Sequence, residues 1–441
     1  MTANVVKLGQ IATIDISNVD KKSKVGEAEV RLCNFVDVYH NWAITGNISK
    51  GFMVATANEN QVVRFSVKKG MIAITKDSET RNDIGIPTYF ADDFTDVVLG
   101  YHCALIKPDE TILEGKYLNV VLHTEYAKRY FEANASGSGQ RYTLTNEIIA
   151  GFPVPLPTIE EQRKIGNLFS TIDKKIENNN AICADLEGMA KLLYDYWFVQ
   201  FDFPDENGKP YKSSGGKMVW NEELKREIPE GWGVSSLAAM IKASKNGDWG
   251  NESPQGQNDI KVTCFRGADF SSITSDYSLK APTRYIKKTN ESRLLKDGDL
   301  VVEISGGSPT QSTGRIGYIN SSFLKRTPYE MVCSNFCKAF SLVDTTMQFW
   351  FYQTWQRYYD AGAMFHYESK TTGIKNLMFD EFVSEVKVPV PQRNILQKYA
   401  EITNTFYEKI QESFIESAEL ASLRDFLLPM LMNGQVKVKG A

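Results

Sequence analysis

The chain is poor in the residues that carry common chemistries. Its four histidines, His40, His102, His123 and His366, lie far apart. None belongs to an HExxH-type pair, so a zinc hydrolase centre of that kind is excluded, and each reads as a packed or surface side chain. The six cysteines, Cys33, Cys103, Cys183, Cys264, Cys333 and Cys337, follow no disulfide-framework spacing, which fits a reducing cytoplasm. Cys333 and Cys337 lack the second pair or nearby histidine that a metal site needs. Gly137-Ser138-Gly139 and Gly306-Gly307-Ser308 do not run into Gly-Lys-Ser/Thr, so neither is a phosphate-cradling P-loop. The Asp/Asn-Pro-Pro-aromatic tetrapeptide of amino-methyltransferases is also missing. No apolar run approaches the roughly 18 residues of a membrane helix. The start, MTANVVKLGQ, lacks the basic-then-apolar pattern of a secretory signal. Positive charge is not in excess either. A net charge of −4 argues against an indiscriminate nucleic-acid binder, while leaving room for a sequence reader with local positive loops.

What is present is length and pattern. A chain of 441 residues with 42% hydrophobic and 24% charged content is globular and too long for one ordinary domain. The most ordered stretch runs from Val154 to Trp197. A proline-locked lead-in, Val154-Pro155-Leu156-Pro157, precedes about 40 proline-free residues, and proline is tolerated at a helix start but not inside it. Thr158 and Glu161 have capping-box spacing. Two columns repeat every seven residues: Ile165, Ile172, Asn179, Leu186, Leu193, and Phe169, Ile176, Cys183, Ala190, Trp197. This is a coiled-coil seam in which Asn179 is the one strongly polar member, a position able to fix register. Such a helix spans roughly 60 Å and reads as a strut.

The strut occurs twice. Val388 to Leu431 matches it without a gap at an offset of 234, so that Ile165, Ile172, Asn179, Leu186 and Leu193 become Tyr399, Phe406, Ser413, Leu420 and Leu427. The other column is weaker in the second copy, where Thr403 and Arg424 intrude. The globular parts repeat in plan. In the first, strands are expected over Val30 to Val38, Val62 to Val67, Met71 to Thr75 and Asp96 to Lys107, with a helix over Gly115 to Ala133. Polar loops run from Lys76 to Asp83 and from Ser136 to Tyr142. In the second, Asp297-Gly298-Asp299-Leu300 resembles Lys69-Gly70-Met71-Ile72, and Leu237-Ala238-Ala239-Met240 resembles Leu8-Gly9-Gln10-Ile11. Polar loops recur at Ser305 to Arg315 and Tyr367 to Gly373. Residues 199–230, rich in Gly, Pro, Ser and Lys, read as a surface connector.

Together these features resemble the DNA-specificity subunit of type I restriction–modification systems, over essentially the whole chain. The resemblance rests on the Val-Pro-Leu-Pro and Val-Pro-Val-Pro lead-ins, the repeated strut, and Trp197-Phe198 running on into the connector up to Trp232. It implies an α+β chain of two mixed α/β target-recognition domains separated by two long antiparallel coiled-coil helices, with pseudo-twofold symmetry. The expected layout is a first recognition domain at 1–153, a spacer helix at 154–198, a connector at 199–230, a second recognition domain at 231–387, a second spacer helix at 388–433 and a tail at 434–441. Each domain would read one half of a split site in double-stranded DNA. Two methyltransferase subunits would dock on the helices, and restriction subunits can join. The chain itself would be non-catalytic and bind no cofactor: S-adenosylmethionine, Mg²⁺ and ATP hydrolysis belong to those partners.

Sequence is read on base edges by hydrogen-bonding side chains, while phosphate contacts only position the reader. The candidates in the first domain are Lys76, Ser78, Thr80, Arg81 and Asn82, with Gln140 and Arg141. In the second they are Ser308, Thr310, Gln311 and Arg315, with Ser369, Lys370, Thr371 and Thr372, and in a further loop Lys245, Asn246 and Arg266. For each of them an ordinary solvated loop is the competing reading. Two other functions compete. A methyltransferase or nuclease acting alone is opposed by the missing motifs, and a coiled-coil scaffold that ignores DNA is opposed by polar, Arg-containing loops duplicated in both globular parts.

Overall fold

The computed structural model describes residues 4–137, 139–308, 310–371, 374–432 and 438. The chain divides into two compact units, Met1–Ile176 with Leu420–Ala441, and Glu177–Glu419.

The first unit is built on a five-stranded sheet in the order Ala12–Ile16, Cys103–Pro108, Ile72–Thr75, Pro87–Phe90, Ala43–Ile44. Its central strands are apolar on both faces, as period-two alternation requires when both sides are covered. Ile72, Ile74, Ala104 and Ile106 pack with Leu118, Val121 and Phe131 of the following helices. Ala73, Cys103 and Leu105 point the other way, onto Val38, Phe52 and Phe90. A three-stranded sheet, Met53–Ala57, Ala28–Cys33, Val97–Leu99, stands beside it. Strand Asn4–Lys7 pairs with Pro153–Leu156, Val6 facing Val154. A two-stranded ladder has only edge strands, and there the missing N–H groups of Pro153 and Pro155 are tolerated.

The second unit repeats these strand orders, except that among the described residues its main sheet has four strands and no counterpart of Ala43–Ile44. Ile241–Asn246, Cys337–Leu342, Leu300–Glu303 and Ile316–Tyr318 form its main sheet; Thr283–Lys287, Asn258–Phe265 and Met331–Cys333 form its three-stranded one. Gly233–Ser236 pairs with Lys387–Val390, Ser235 facing Val388. Leu300 and Val302 face one core and Val301 the other. Leu8–Gln10 and Leu237–Met240 are both 3-10 turns.

Several expected elements come out differently, each for a local reason. Asp96 to Lys107 is two strands, Val97–Leu99 and Cys103–Pro108, in different sheets, because the chain turns at His102, whose φ is 71°. Val62 to Val67 lies mostly in a helix, Glu59–Phe65, started by a reciprocal cap. Asn58 N–H donates to Gln61 Oε1 at 3.1 Å, and Gln61 N–H to Asn58 Oδ1 at 3.0 Å. The strand expected over Val30 to Val38 stops at Cys33, and Asn34 opens a helix at Phe35. Gly115 to Ala133 is broken at His123 into two helices, the second capped by Thr124.

The first long helix is Ile159–Tyr194, continued by a π-helical turn over Asp195–Val199; the second is Arg393–Met432. The lead-ins assigned to the helices, from residues 154 and 388, are strand instead, for the edge-ladder reason above. Thr158 and Glu161 cap the first helix reciprocally, at 3.3 and 3.2 Å. Within the second unit the two helices run antiparallel. Asn179 meets Ser413 and Ser417, Cys183 Sγ meets the Ile410 carbonyl, and Tyr399 OH donates to the Ala190 carbonyl. Thr403, expected to weaken the seam, is fully buried but satisfied, its hydroxyl donating to the Tyr399 carbonyl at 2.8 Å. Within the first unit, Phe169 is buried against Trp42, Leu427 and Leu428, and the Arg424 guanidinium lies 4.7 Å over the Trp42 ring.

Residues 199–230 are no surface linker. Phe201, Phe203, Ile228 and the following Trp232 are buried in the core of the second unit, and Met218–Asn221 pairs with Arg226–Pro229. The aromatics outweigh the turn-forming composition, since each buries a large apolar area. Of the 434–441 tail, only Val438 is within the described residues.

Candidate nucleic-acid interface

In the first unit, the chain leaves the main sheet at Thr75 and forms a short strand, Asp77–Ser78. This strand pairs with Tyr142–Thr143, which forms a hairpin with Ser136–Gly137. The two polar stretches read from the sequence as loops are therefore one small sheet, with Ser78 opposite Tyr142. Gly137 has φ +151°, and a Cβ there would sit 2.1 Å from the Arg141 carbonyl, so only glycine closes this hairpin.

Charge is gathered around Asp77. Its Oδ2 lies 2.8 Å from Lys76 Nζ, 2.6 Å from His102 Nδ1 and 3.4 Å from an Arg141 guanidinium nitrogen. Burial works to raise the Asp77 carboxyl, but the hydrogen bonds from Lys76 and His102 outweigh it and hold the group at about 2. Lys76 is thus engaged inside the protein. Arg81 donates to the Ala135 carbonyl at 3.1 Å and lies 5.9 Å over the Tyr142 ring. Thr80, Arg81, Asn82, Gln140 and Arg141 are exposed, and Ser78 is half-buried.

The second unit repeats the arrangement. Beyond Glu303 the chain enters Ser305–Gly306, which pairs with Ile374–Leu377, itself hairpinned to Glu368–Thr371. The stretches 305–315 and 367–371 are again brought together. Thr310 and Gln311 are exposed, and the Ser308 hydroxyl accepts from their main-chain N–H groups at 3.3 and 3.1 Å. Ser369 Oγ donates to the Asn376 carbonyl at 3.5 Å. Lys370 and Thr371 stand on the same strand, and Thr372 lies outside the described residues.

Other sequence candidates are occupied. Arg315 makes two parallel bonds of 2.8 Å to the buried Glu303 carboxylate and stacks 5.3 Å over Phe270. Lys245 pairs with Asp299 and the Leu294 carbonyl, and Arg266 grips Asp269 at 2.9 and 3.0 Å. Only Asn246 of that group is open to solvent. Neither Lys245, Asn246 nor Arg266 belongs to the hairpin sheet. Three residues that the sequence did not single out do belong to the sites: His102, which faces Asp77 and Arg141, and Lys375 and Asn376, which stand on the second hairpin. A lone histidine and a Lys-Asn pair carry no spacing signal, so only the fold reveals them.

Among the described residues, no cluster of His, Cys, Asp or Glu could hold a metal ion, and no helix is long and apolar enough to cross a membrane. All six cysteines are free and buried.

A family model for the type I restriction modification DNA specificity domain matches residues 2–188. Over 344 residues the chain is 24% identical to the type I restriction enzyme MjaIX specificity subunit of Methanocaldococcus jannaschii, covering 74% of this chain and 70% of that one. Over 410 residues it is 22% identical to the HindI specificity subunit of Haemophilus influenzae, covering 84% and 87%. The crystal structure of the type I restriction–modification S subunit from M. genitalium has a similar fold. It aligns over 97% of this chain and 95% of its own, with a TM-score of 0.55 at 14% identity.

Proposed function

We propose that the chain is a DNA-specificity subunit of a type I restriction–modification system, and that each of its two units reads one half of a bipartite site in double-stranded DNA. The observation that carries this reading is the duplicated hairpin sheet, set in each unit where the chain leaves the third strand of the main sheet. A narrow two-stranded ribbon fits the major groove, where every base pair presents a distinct donor–acceptor pattern. In the first half-site Gln140 and Arg141 are the base readers, with Thr80, Arg81, Asn82 and Ser78 beside them. In the second, Thr310, Gln311, Ser308 and Ser369 take that part, with Lys375 and Asn376, and with Lys370, Thr371 and Thr372. Lys76, Lys245, Arg266 and Arg315 shape the surface from behind through their internal ion pairs, and Asn246 makes a peripheral contact.

The long helices act as ruler and dock. A shared order over four main-sheet strands, equal lead-in ladders and helices repeating at an offset of 234 support a pseudo-twofold repeat. Two methyltransferase subunits then bind equivalent helical surfaces, and restriction subunits join that complex. The transfer of methyl groups and the cutting of DNA take place on the partners, in the cytoplasm where the DNA is.

Mapping methylated bases in a host that carries this chain with its methyltransferase tests the reading. A motif of two short defined halves around an unread spacer is expected. Inserting seven residues after Asn179 and after Ser413 lengthens each helix by roughly 10 Å, about three base pairs, so the halves should keep their sequences and move apart. A single continuous motif would overturn the two-reader reading, and an unchanged spacer would overturn the ruler.

A further inference from the structure

The turn between Val97–Leu99 and Cys103–Pro108 places one side chain where the reading hairpin is anchored. His102 adopts φ 71°, a left-handed conformation that costs a non-glycine residue energy and that the surrounding contacts must hold. Its main-chain carbonyl accepts from the Lys76 N–H at 2.9 Å, which fixes the turn against the strand feeding the hairpin. The Tyr101 ring covers the imidazole, with centroids 3.7 Å apart.

The same ring nitrogen meets two partners. His102 Nδ1 lies 2.6 Å from Asp77 Oδ2 and 2.7 Å from an Arg141 guanidinium nitrogen. A guanidinium only donates and a carboxylate only accepts. Nδ1 cannot serve both. With its proton on Nδ1, the imidazole donates to Asp77 and opposes the Arg141 N–H. With its proton on Nε2, Nδ1 accepts from Arg141 and leaves Asp77 to Lys76.

We infer that His102 is a positioning residue for base reading by the first unit: its ring decides whether the Arg141 guanidinium is held over Asp77 or turned out towards a base edge. The inference rests on the reading of this hairpin as a DNA-contacting element. The groups facing the imidazole are Asp77 and Lys76 from the adjoining strand, Arg141 from the hairpin, and Tyr101 from its own turn. Of the cations gathered on the Asp77 carboxylate, Arg141 is the one free to turn out, because its side chain is 59% exposed, against 18% for Lys76. It is held when Nδ1 accepts from it and turns out when Nδ1 carries the proton. The equivalent turn of the second unit carries Phe336, whose carbonyl accepts from the N–H groups of Ile304 and Ser305, so among the described residues no histidine stands at this place there.

The test uses the full chain assembled with its methyltransferase and a DNA library randomised in both half-sites. Gln140→Ala identifies the half-site read by the first hairpin. His102→Asn, which tolerates positive φ, and His102→Gly, free of that backbone cost, should each change preference at one position of that half-site by roughly ten-fold, the scale of one good arginine–base pair. The other half-site should not change. Arg141→Ala should alter preference at the same position, and adding His102→Gly to it should change nothing further. His102 variants that shift every position alike, or that still change preference in the Arg141→Ala background, overturn the inference. If Gln140→Ala and Arg141→Ala leave both half-sites unaltered, the hairpin reading itself falls and takes this inference with it. If they alter a half-site and the His102 variants do not, only the role of His102 is lost.

Discussion

Asn179 donates a side-chain hydrogen bond of 3.3 Å to the main-chain carbonyl of Ser413, the residue 234 positions further on. The two are equivalent members of the repeat, so the helices meet at their own matching positions. The same amide nitrogen lies 2.9 Å from Glu416 Oε2 and 3.2 Å from Ser417 Oγ. Asn179→Asp keeps the shape but turns a buried donor into a carboxylate facing a carboxylate and a carbonyl. It should destabilise the second unit by about 2 kcal/mol or more, seen as a lower midpoint in thermal or urea unfolding. Wild-type stability would show that the donor does not hold the seam.

Arg315 is better placed to hold the fold than to read a base. Glu303, its partner, has a side chain only 6% exposed. Arg315→Ala should cost about 3 kcal/mol of stability by leaving that carboxylate buried and unpaired. Adding Glu303→Gln should recover much of the loss. A full-strength fold with altered base preference in the single variant would return Arg315 to the reading surface.

The exposed Gln140 of the first hairpin and the exposed Gln311 of the stretch after Ser305–Gly306 should act on different half-sites. Gln140→Ala and Gln311→Ala are each expected to weaken specific binding by about 1–3 kcal/mol and to relax one base position, in opposite halves of the motif. Binding selections on randomised DNA check this. Uniform weakening at all positions would mark phosphate contacts instead.

The long helices and their caps were legible because helix rules are local: Thr158 and Glu161 find each other three residues apart, and the seven-residue columns are visible in one dimension. The partnership of the polar stretches was legible only as recurrence. That Ser78 lies opposite Tyr142 is a long-range pairing that no local pattern encodes. Val62 to Val67 has strand composition, yet Asn58 and Gln61 cap it as a helix, a case of two local signals in conflict. Arg315 looked available because its partner Glu303 is on a neighbouring strand, and His102 looked idle because its partners, Asp77 and Arg141, are 25 and 39 residues away. Phe201, Phe203 and Trp232 sat among turn formers, whose number concealed how much area three aromatics bury.

Acid should loosen the first unit through His123. Its ring stacks on Trp42 with centroids 3.7 Å apart. Burial first, and the nearby Arg424 charge with it, hold the imidazole down to about 3, from an ordinary 6.5. The folded chain therefore keeps His123 neutral while the unfolded chain takes up a proton below about 6.5. Stability is complete above that pH and falls towards about 3, with a slope on the order of 1 kcal/mol per pH unit. His123→Phe, which retains a ring against Trp42, should flatten this part of the stability curve in pH-dependent melts. An unchanged slope would assign the acid sensitivity to other groups.

The most direct measurement is the methylated motif of a chimera. Residues 237–386 are exchanged for those of a relative with another specificity, leaving the Gly233–Ser236 ladder with Lys387–Val390 and both long helices in place. One half of the motif should become that of the donor, while the other half and the spacer stay as they were. A motif changed in both halves, or in neither, would contradict two independent readers on one scaffold.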